Sequence, residues 1–159
     1  FREGAEGLFR AQVGGDWYAW TQMEPLDARR MFPGFDEPGF KVPFTVSLTV
    51  PSRLKAFANT PEVAATTKAG WTTHKFAPSK PLPTYLVAVG VGDFDVRESV
   101  IPANAVRKSP LAFRVIATKG QAPRMATTLA ETPKIVGILE DYFGIPYPYV
   151  KLDFIASPV

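Results

Sequence analysis

Proline is the residue that most limits what this chain can fold into. The 159 residues include 16 prolines, about twice the share of roughly 5% that is found in average proteins. Each proline fixes one backbone angle and removes one hydrogen-bond donor, so prolines interrupt helices and the interior strands of sheets. Because they recur along the chain, they predict many short elements separated by rigid turns, which favours a mainly β protein.

The composition excludes several classes of protein. The chain is 46% hydrophobic and 21% charged, which is typical of a globular protein that can bury one core, or one core and part of a second. The net charge of +3 contains no Lys/Arg block, so we expect no nucleic-acid partner. No apolar run reaches the length of about 18 residues that a membrane span needs. With one His and no Cys, the chain by itself offers no convincing transition-metal site.

Hydrophobic patterning predicts strands in the first part of the chain. Apolar residues alternate with polar ones over 42–50, and shorter strands are predicted at 54–58 and 71–76. The nearly all-apolar run at 85–91 predicts a strand that is covered on both faces. Residues 18–20 are predicted to end one further strand. Strands joined by turns without intervening helices predict an antiparallel sandwich or a saddle-shaped sheet.

After about residue 96 the pattern changes. Residues 111–115 alternate as a strand, apolar residues recur at helical spacing over 125–143, and 151–156 predict another strand. We therefore expect two domains, 1–95 and 96–159, both incomplete. The chain begins without Met, and both of its ends are expected to be cuts within a longer protein.

The helical segment contains one interruption and one stop signal. Thr132 and Pro133 predict either a kink or the N-cap and first residue of a second helix. Gly144 is expected to end the helix, because glycine readily adopts the left-handed conformation that follows a helix.

Two local features carry little functional weight. The sequence GVGDF at residues 90–94 resembles the start of a dinucleotide-binding loop, but it lacks the third glycine and a following helix. A strand with a tight turn is therefore favoured. His74 lies within a predicted strand, which favours a packing or surface role over catalysis.

The segment TQMEPLDARRMFPGFDEP, residues 21–38, follows neither a strand nor a helix pattern. Its carboxylates are Glu24, Asp27, Asp36 and Glu37. Two of them could form a general acid and base pair, as in a glycosidase. Arg29 and Arg30 are available as ionic partners, so from the residues alone a solvated loop with local ion pairs is favoured.

Four stretches carry a resemblance to a known family. They are TQMEP and DARRMFPGFDEP with the following KVPF, then PTYLVAVGVGDF (83–94), EDYFGIPYP (140–148) and KLDFIA (151–156). In this order the stretches resemble the aminopeptidase N and puromycin-sensitive aminopeptidase family of zinc metallopeptidases. The resemblance covers essentially the whole chain.

The resemblance implies a fold, an activity and a site. It implies that 1–95 is the C-terminal part of an N-terminal β domain, a sandwich or saddle-like sheet. Residues 96–159 would be the α+β beginning of a thermolysin-like catalytic domain. It further implies that Glu24 holds the free α-ammonium of a peptide substrate, with Gln22 beside it in the pocket for the first side chain. The flanking charges Asp27, Arg29, Arg30, Asp36 and Glu37 are expected to hold this segment in place.

The catalytic machinery of that family is absent from this sequence. Its Gly-x-Met-Glu-Asn and His-Glu-x-x-His motifs, which would bind zinc and activate water, do not occur here. We therefore expect no catalytic residue and no metal ligand in this chain. Zinc is expected in the full-length parent, and the fragment alone is expected to be inactive and to self-associate through its exposed apolar faces.

Two further classes of function remain as alternatives. One is a non-enzymatic scaffold that shares the fold, and the other is an isolated β-sandwich interaction module. The compartment stays open between the cytoplasm and a periplasmic or secreted location, since a signal peptide would lie upstream of residue 1.

Overall fold

The computed structural model describes residues 4–157, which divide into two compact units between Asp93 and Phe94. The expected boundary lay two residues later, after residue 95. The first unit contains seven strands and two 3-10 turns. They are β1 (Gly7–Val13), β2 (Asp16–Gln22), a turn at Ala28–Arg30, β3 (Ser47–Pro51), β4 (Lys55–Ala58), β5 (Glu62–Lys68), β6 (Trp71–Phe76), a turn at Thr84–Leu86 and β7 (Val89–Gly92). The prediction of a mainly β protein with antiparallel sheets is confirmed.

The first sheet has the strand order β1-β2-β7-β4 and is antiparallel throughout. Strand β7 lies against the ring of Tyr18, which is 2% exposed. A Cβ atom on Gly92 would lie 2.2 Å from the Tyr18 ring. Because a contact that short is a severe clash, only glycine fits here. The Tyr18 hydroxyl donates to the carbonyl oxygen of Asp93 at 3.0 Å, so it fastens the end of the same unit.

The second sheet has the order β3-β6-β5 and is also antiparallel. Residues from both sheets meet in one buried cluster, consisting of Val50, Ala56, Ala58, Phe76 and Val89. Every residue of β5 is exposed. The first unit is therefore an antiparallel sandwich whose second sheet ends in an uncovered edge strand, and β5 is a strand that hydrophobic patterning did not predict.

Two strand predictions were partly wrong. The strand predicted at 42–50 begins only at Ser47, because Val42 makes an isolated bridge to Leu82 and the Phe44 N–H donates to the side chain of Ser79. The predicted strand at 85–91 begins only at Val89. There the side chain of Asn59 donates to the carbonyl of Leu86 and accepts from the N–H of Ala88. Side chains distant in sequence thus replace the strand ladder in both places.

The second unit contains three strands and one helix. They are β8 (Phe94–Ile101), β9 (Leu111–Thr118), α1 (Ala126–Phe143), which follows a 3-10 turn at Ala122–Met125, and β10 (Lys151–Ile155). The sheet order is β10-β9-β8, with β8 antiparallel to β9 and β10 parallel to it. A parallel neighbour requires a crossover connection, and α1 provides it. The core of this unit includes Leu111, Phe113, Val115, Met125 and Val136.

Helix α1 settles the two alternatives for its interruption. It continues through Pro133 as one helix of 18 residues, so Thr132 does not cap a second helix. The predicted stop is confirmed, because Gly144 adopts a left-handed conformation with φ of 68°. Its N–H donates to the carbonyl of Glu140 at 2.9 Å.

A buried ion pair in the second unit joins helix α1 to the loop before β9. The Arg107 Nε atom lies 2.9 Å from Oε1 of Glu140, and both residues are buried. Glu140 also accepts hydrogen bonds from the side chain of Asn104 and from the N–H of Tyr147. Burial raises the pKa of Glu140, but the hydrogen bonds from Tyr147, Asn104 and Arg107 outweigh it and hold that pKa below its ordinary value.

The first prediction concerns Glu140. Because its pKa is lowered by folding, its contribution to stability is present above the pKa of the unfolded chain and is lost as pH falls through the folded value. We expect Glu140→Gln to lower the free energy of unfolding of the second unit at neutral pH by about 3 kcal/mol, since Arg107 then stays buried without its charge partner. The variant should also lose less stability than the parent on acidification. Urea unfolding, followed by the circular dichroism of α1 at several pH values, measures both effects.

Glu131→Gln is the matched control. Glu131 lies on the same helix and pairs with Lys134 at 2.8 Å, but both side chains are largely exposed. We expect a change below about 0.5 kcal/mol. Equal effects of the two substitutions would contradict a special role for the buried pair.

Candidate functional site

The residues predicted to bind substrate lie where β2 ends. Met23 is 1% exposed and packs in a cluster with Ala28, Leu82 and Val87. Gln22 and Glu24, on either side of Met23, are exposed. The buried Met23 side chain therefore anchors the backbone of this site, and the two polar side chains that flank it stay accessible.

A tight turn follows Glu24. The Glu24–Pro25 peptide bond is cis, and the Asp27 N–H donates to the carbonyl of Met23 at 2.8 Å. The 3-10 turn at Ala28–Arg30 begins directly afterwards. The chain thus reverses within a few residues of Glu24, in a stretch where neither a strand nor a helix pattern was present.

Asp36 fastens the far part of the segment. It is 5% exposed and its Oδ2 atom accepts from the N–H of Arg29 at 3.0 Å and from the Arg29 Nε at 3.1 Å. The Thr84 hydroxyl donates to Oδ1 at 2.5 Å. Burial raises the pKa of Asp36, but the hydrogen bonds from Thr84 and Arg29, together with the Arg29 charge, hold it below the ordinary value.

Further ion pairs hold the turn itself. The Arg30 Nε atom lies 2.9 Å from Oδ1 of Asp27, and Arg30 also pairs with Glu6. Gly7, at the start of β1, packs against this pair, and a Cβ atom there would lie 3.0 Å from the Arg30 Cβ. The prediction that the flanking charges frame the segment is confirmed for Asp27, Arg29, Arg30 and Asp36. The side chain of Glu37 is exposed and stays without an assigned role.

Two of the four carboxylates in the segment are engaged in ion pairs. Asp36 and Asp27 both face guanidinium groups, so neither is available for the glycosidase-like pair that the residues alone left open. Glu24 and Glu37 are the exposed carboxylates. Sequence reasoning identified these residues but missed Thr84, whose hydroxyl completes the Asp36 site from 48 residues further along the chain.

The described residues offer no metal centre. No group of three or more His, Asp or Glu side chains that could hold a metal ion occurs within residues 4–157. His74 lies in β6 and its Nδ1 atom is 2.9 Å from Oε2 of Glu62 on β5. The residues 90–94 span the end of β7 and the start of β8 with no helix after them, which confirms the strand and tight turn.

The second unit contains an apolar cavity of about 660 Å³. Its lining includes Ile135, Leu139, Phe143, Leu152 and Phe154. The Glu140 carboxylate also lines it but is already bound by three donors. The other polar residues of the lining are Thr127, Thr128, Glu131 and Thr132, and the remainder is apolar or aromatic. Within the part of the chain that the structure describes, no helix is both long and apolar enough to cross a membrane.

Comparison with known proteins finds several relatives that are named as aminopeptidases. Aminopeptidase M1-B of Oryza sativa subsp. japonica is 39% identical over 141 residues, which are 88% of this chain and 15% of that protein. Aminopeptidase N of Acetobacter pasteurianus is 36% identical over 87% of this chain and 37% of its own length. Glutamyl aminopeptidase of Sus scrofa is 38% identical over 88% of this chain and 14% of its own length. The chain thus spans a minor part of each of these relatives.

A match to a family model identifies the family of this chain. The model described as the peptidase M1 N-terminal domain matches residues 2–86, which is more than half of the chain and includes β1 to β6 and the whole segment between β2 and β3. The resemblance found in the sequence is thereby confirmed, and the chain belongs to the peptidase M1 N-terminal domain family.

Proposed function

We propose that this chain is part of a zinc-dependent aminopeptidase, which removes N-terminal residues from peptides, and that it supplies part of the substrate-binding cleft. Glu24 is the anchor for the substrate's free α-ammonium, and Gln22 lines the pocket for the first side chain. The observation that carries this proposal is the placement of Gln22 and Glu24, both accessible, on either side of the buried Met23.

The contacts that hold the segment in place suit Glu24 for binding an ammonium group. A carboxylate discriminates a charged chain end well only if it is held in place before the substrate arrives. Asp36 and Arg30 fasten the backbone on the far side of the turn from Glu24. The side chain of Glu24 is therefore presented from a backbone that is fixed by packing on one side and by ion pairs on the other.

The electrostatics favour an exopeptidase. Opposite charges about 4 Å apart attract by about 4 kcal/mol at the effective dielectric of a protein surface. A peptide bound in the wrong register would bring an uncharged amide to the same position and leave the carboxylate desolvated without a partner, which is costly. Glu24 would thereby select free amino termini over internal peptide bonds.

The zinc belongs to another part of the protein in this proposal. The residues 4–157 present no ligand set that fits zinc, so no catalytic step is assigned to this chain. The relatives are matched over 141 residues of a 159-residue chain, and such a match continues beyond Asp93 into the second unit. This supports residues 1–95 as the end of an N-terminal β domain and 96–159 as the beginning of the catalytic domain.

The second prediction concerns Glu24 in a longer protein that carries this sequence and a zinc site. We expect Glu24→Gln to raise KM and to lower kcat/KM by about tenfold to about a hundredfold, since one charge-assisted contact is worth about 1.5–3 kcal/mol. Zinc content should not change. Steady-state kinetics on an aminoacyl-anilide, with metal analysis of the same sample, gives both quantities.

Glu37→Gln is the control for Glu24. It removes the same charge from an exposed position in the same segment, and we expect unchanged kinetics. If Glu24→Gln left kcat/KM at the parent value, Glu24 would not be a substrate-binding residue. If the longer protein lacked zinc and turnover altogether, the scaffold alternative would replace the enzyme.

The third prediction concerns Asp36. We expect Asp36→Asn to weaken the hold on Arg29 and to cost about 1–2 kcal/mol of stability, a modest value because Arg29 is largely exposed. Amide exchange should accelerate at Arg29, whose N–H donates to this carboxylate, and over residues 22–30, while the amides of β6 stay protected. Hydrogen-exchange NMR measures both regions.

Thr84→Val tests the same site from its other side. This substitution keeps the side-chain shape and removes only the hydroxyl that donates to Asp36. We expect a smaller acceleration in the same residues. Uniform acceleration across the first unit would show general destabilisation and contradict a local clamp.

The fourth prediction concerns the chain of residues 1–159 on its own. We expect no turnover of an aminoacyl-anilide and no stoichiometric zinc, because the catalytic and metal-binding groups lie elsewhere in the proposed enzyme. Spectrophotometric assay and metal analysis after dialysis check this. One tightly bound zinc per chain would contradict the proposal.

A further inference from the structure

Strand β2 extends beyond its backbone ladder with β7. The described ladder between these two strands ends at the pair formed by Trp20 and Gly90, although β2 continues to Gln22. In the same register the next pair would be Thr21 and Val89, and Val89 is the first residue of β7. What joins the two strands at this position is a side chain, the hydroxyl of Thr21.

The Thr21 hydroxyl takes the place of the ladder at this pair. It accepts from the Val89 N–H at 2.9 Å and donates to the Val89 carbonyl oxygen at 3.4 Å. A threonine hydroxyl can donate and accept, so it serves both backbone groups that an opposing residue serves in an antiparallel ladder. Val89 is 7% exposed, and a buried N–H that loses its partner is costly. Removal of this hydroxyl would therefore force the end of β2 or the start of β7 to move.

The Thr21 bond lies directly before the two candidate substrate contacts. Gln22 is the next residue, and Glu24 follows after the buried Met23. On the other edge of β2, Gln22 is paired with Gly7 in the ladder with β1. The end of β2 is thus held on both edges, by backbone pairing with β1 and by the Thr21 hydroxyl on β7.

We propose that Thr21 is a positioning residue for the substrate contacts, because its hydroxyl holds the end of β2 against β7 and thereby sets where Gln22 and Glu24 lie. This inference rests on the proposed function, since it gives Thr21 a role only through those two side chains. Thr21 itself does not touch the substrate in this proposal. A displacement of about 1 Å in a binding group can lower a rate by about a hundredfold, so the loss of this hydroxyl affects turnover beyond its effect on stability.

The Thr21 bond and the Asp36 carboxylate hold the segment at its two ends. Asp36 acts after the turn, where it accepts from the N–H of Arg29 at 3.0 Å. Glu24 lies between these two attachments. A binding group that is already ordered before the substrate arrives loses less conformational freedom on binding. Each attachment therefore contributes to the affinity for the amino terminus without contacting it.

The fifth prediction concerns Thr21 in a longer protein that carries this sequence and a zinc site. Thr21→Val keeps the side-chain shape and removes the hydroxyl, and we expect it to raise KM and to lower kcat/KM by about tenfold with unchanged zinc content. Thr21→Ser keeps the hydroxyl and should stay within about threefold of the parent value. Steady-state kinetics on an aminoacyl-anilide, with metal analysis of the same samples, measures these effects. If circular dichroism shows that Thr21→Val does not fold, Thr21→Ala removes the same hydroxyl without adding a methyl group.

A double-mutant cycle with Glu24→Gln separates positioning from a general loss of folded protein. If Thr21 acts through Glu24, Thr21→Val should lower kcat/KM by less than about threefold once Glu24→Gln is present. A loss of folded protein would lower it by the same factor in both backgrounds. Equal factors, an unchanged kcat/KM in Thr21→Val, or a Thr21→Ser variant as impaired as Thr21→Val would overturn the role of Thr21 and leave the proposed function standing. If Glu24→Gln itself had no effect, the proposed function would fail, and the role of Thr21 with it.

Thr49→Val is the matched control. The Thr49 hydroxyl on β3 lies 2.9 Å from the Thr73 hydroxyl on β6, and these two residues are also paired in the backbone ladder of the second sheet. The substitution therefore removes a cross-strand hydroxyl of the same kind where the ladder is continuous. We expect unchanged kinetics. A loss of kcat/KM equal to that of Thr21→Val would show that the position of the hydroxyl is unimportant, which would contradict the proposal.

Discussion

The buried carboxylate of Asp36 is the contact on which the candidate site depends. It is held by Arg29, seven residues earlier, and by Thr84, 48 residues later. The segment between β2 and β3 has few ladder hydrogen bonds of its own, so this carboxylate replaces them as the tether to the sandwich. Because a buried polar group that is only partly hydrogen-bonded is costly, the loss of Arg29 or Thr84 would weaken this tether.

The second unit uses the same solution. Glu140 accepts from Arg107, Asn104 and Tyr147, and thereby connects α1 to the loop before β9 and to the turn before β10. In both units, burial disfavours the charged form of a carboxylate. Several hydrogen-bond donors converge on that carboxylate and stabilise its charged form by more than burial costs. Such a residue fixes irregular backbone, which cannot be fixed by ladder hydrogen bonds.

Prediction from the sequence succeeded where the controlling interactions are local. The strand at Trp71–Phe76 follows from hydrophobic patterning, and the end of the helix at Gly144 follows from a glycine cap. It failed at 42–46 and 85–88, where Ser79 and Asn59 supply the hydrogen bonds from a distance. It also missed β5, whose run of exposed Ala and Thr residues has no apolar alternation. The partner of Asp36 could not be predicted, because no pattern joins Asp36 to Thr84.

The residues that hold the segment in place differ from those that are proposed to bind substrate. Arg29, Asp36 and Thr84 are explained by the fold, since their contacts hold irregular backbone in place whatever the protein does. Gln22 and Glu24 are exposed, and exposed polar side chains contribute little to stability. Their identity is therefore not accounted for by folding. The proposed contact with the amino terminus of a peptide consequently depends on these two residues, and a scaffold with the same fold would have no physical need for a carboxylate at Glu24.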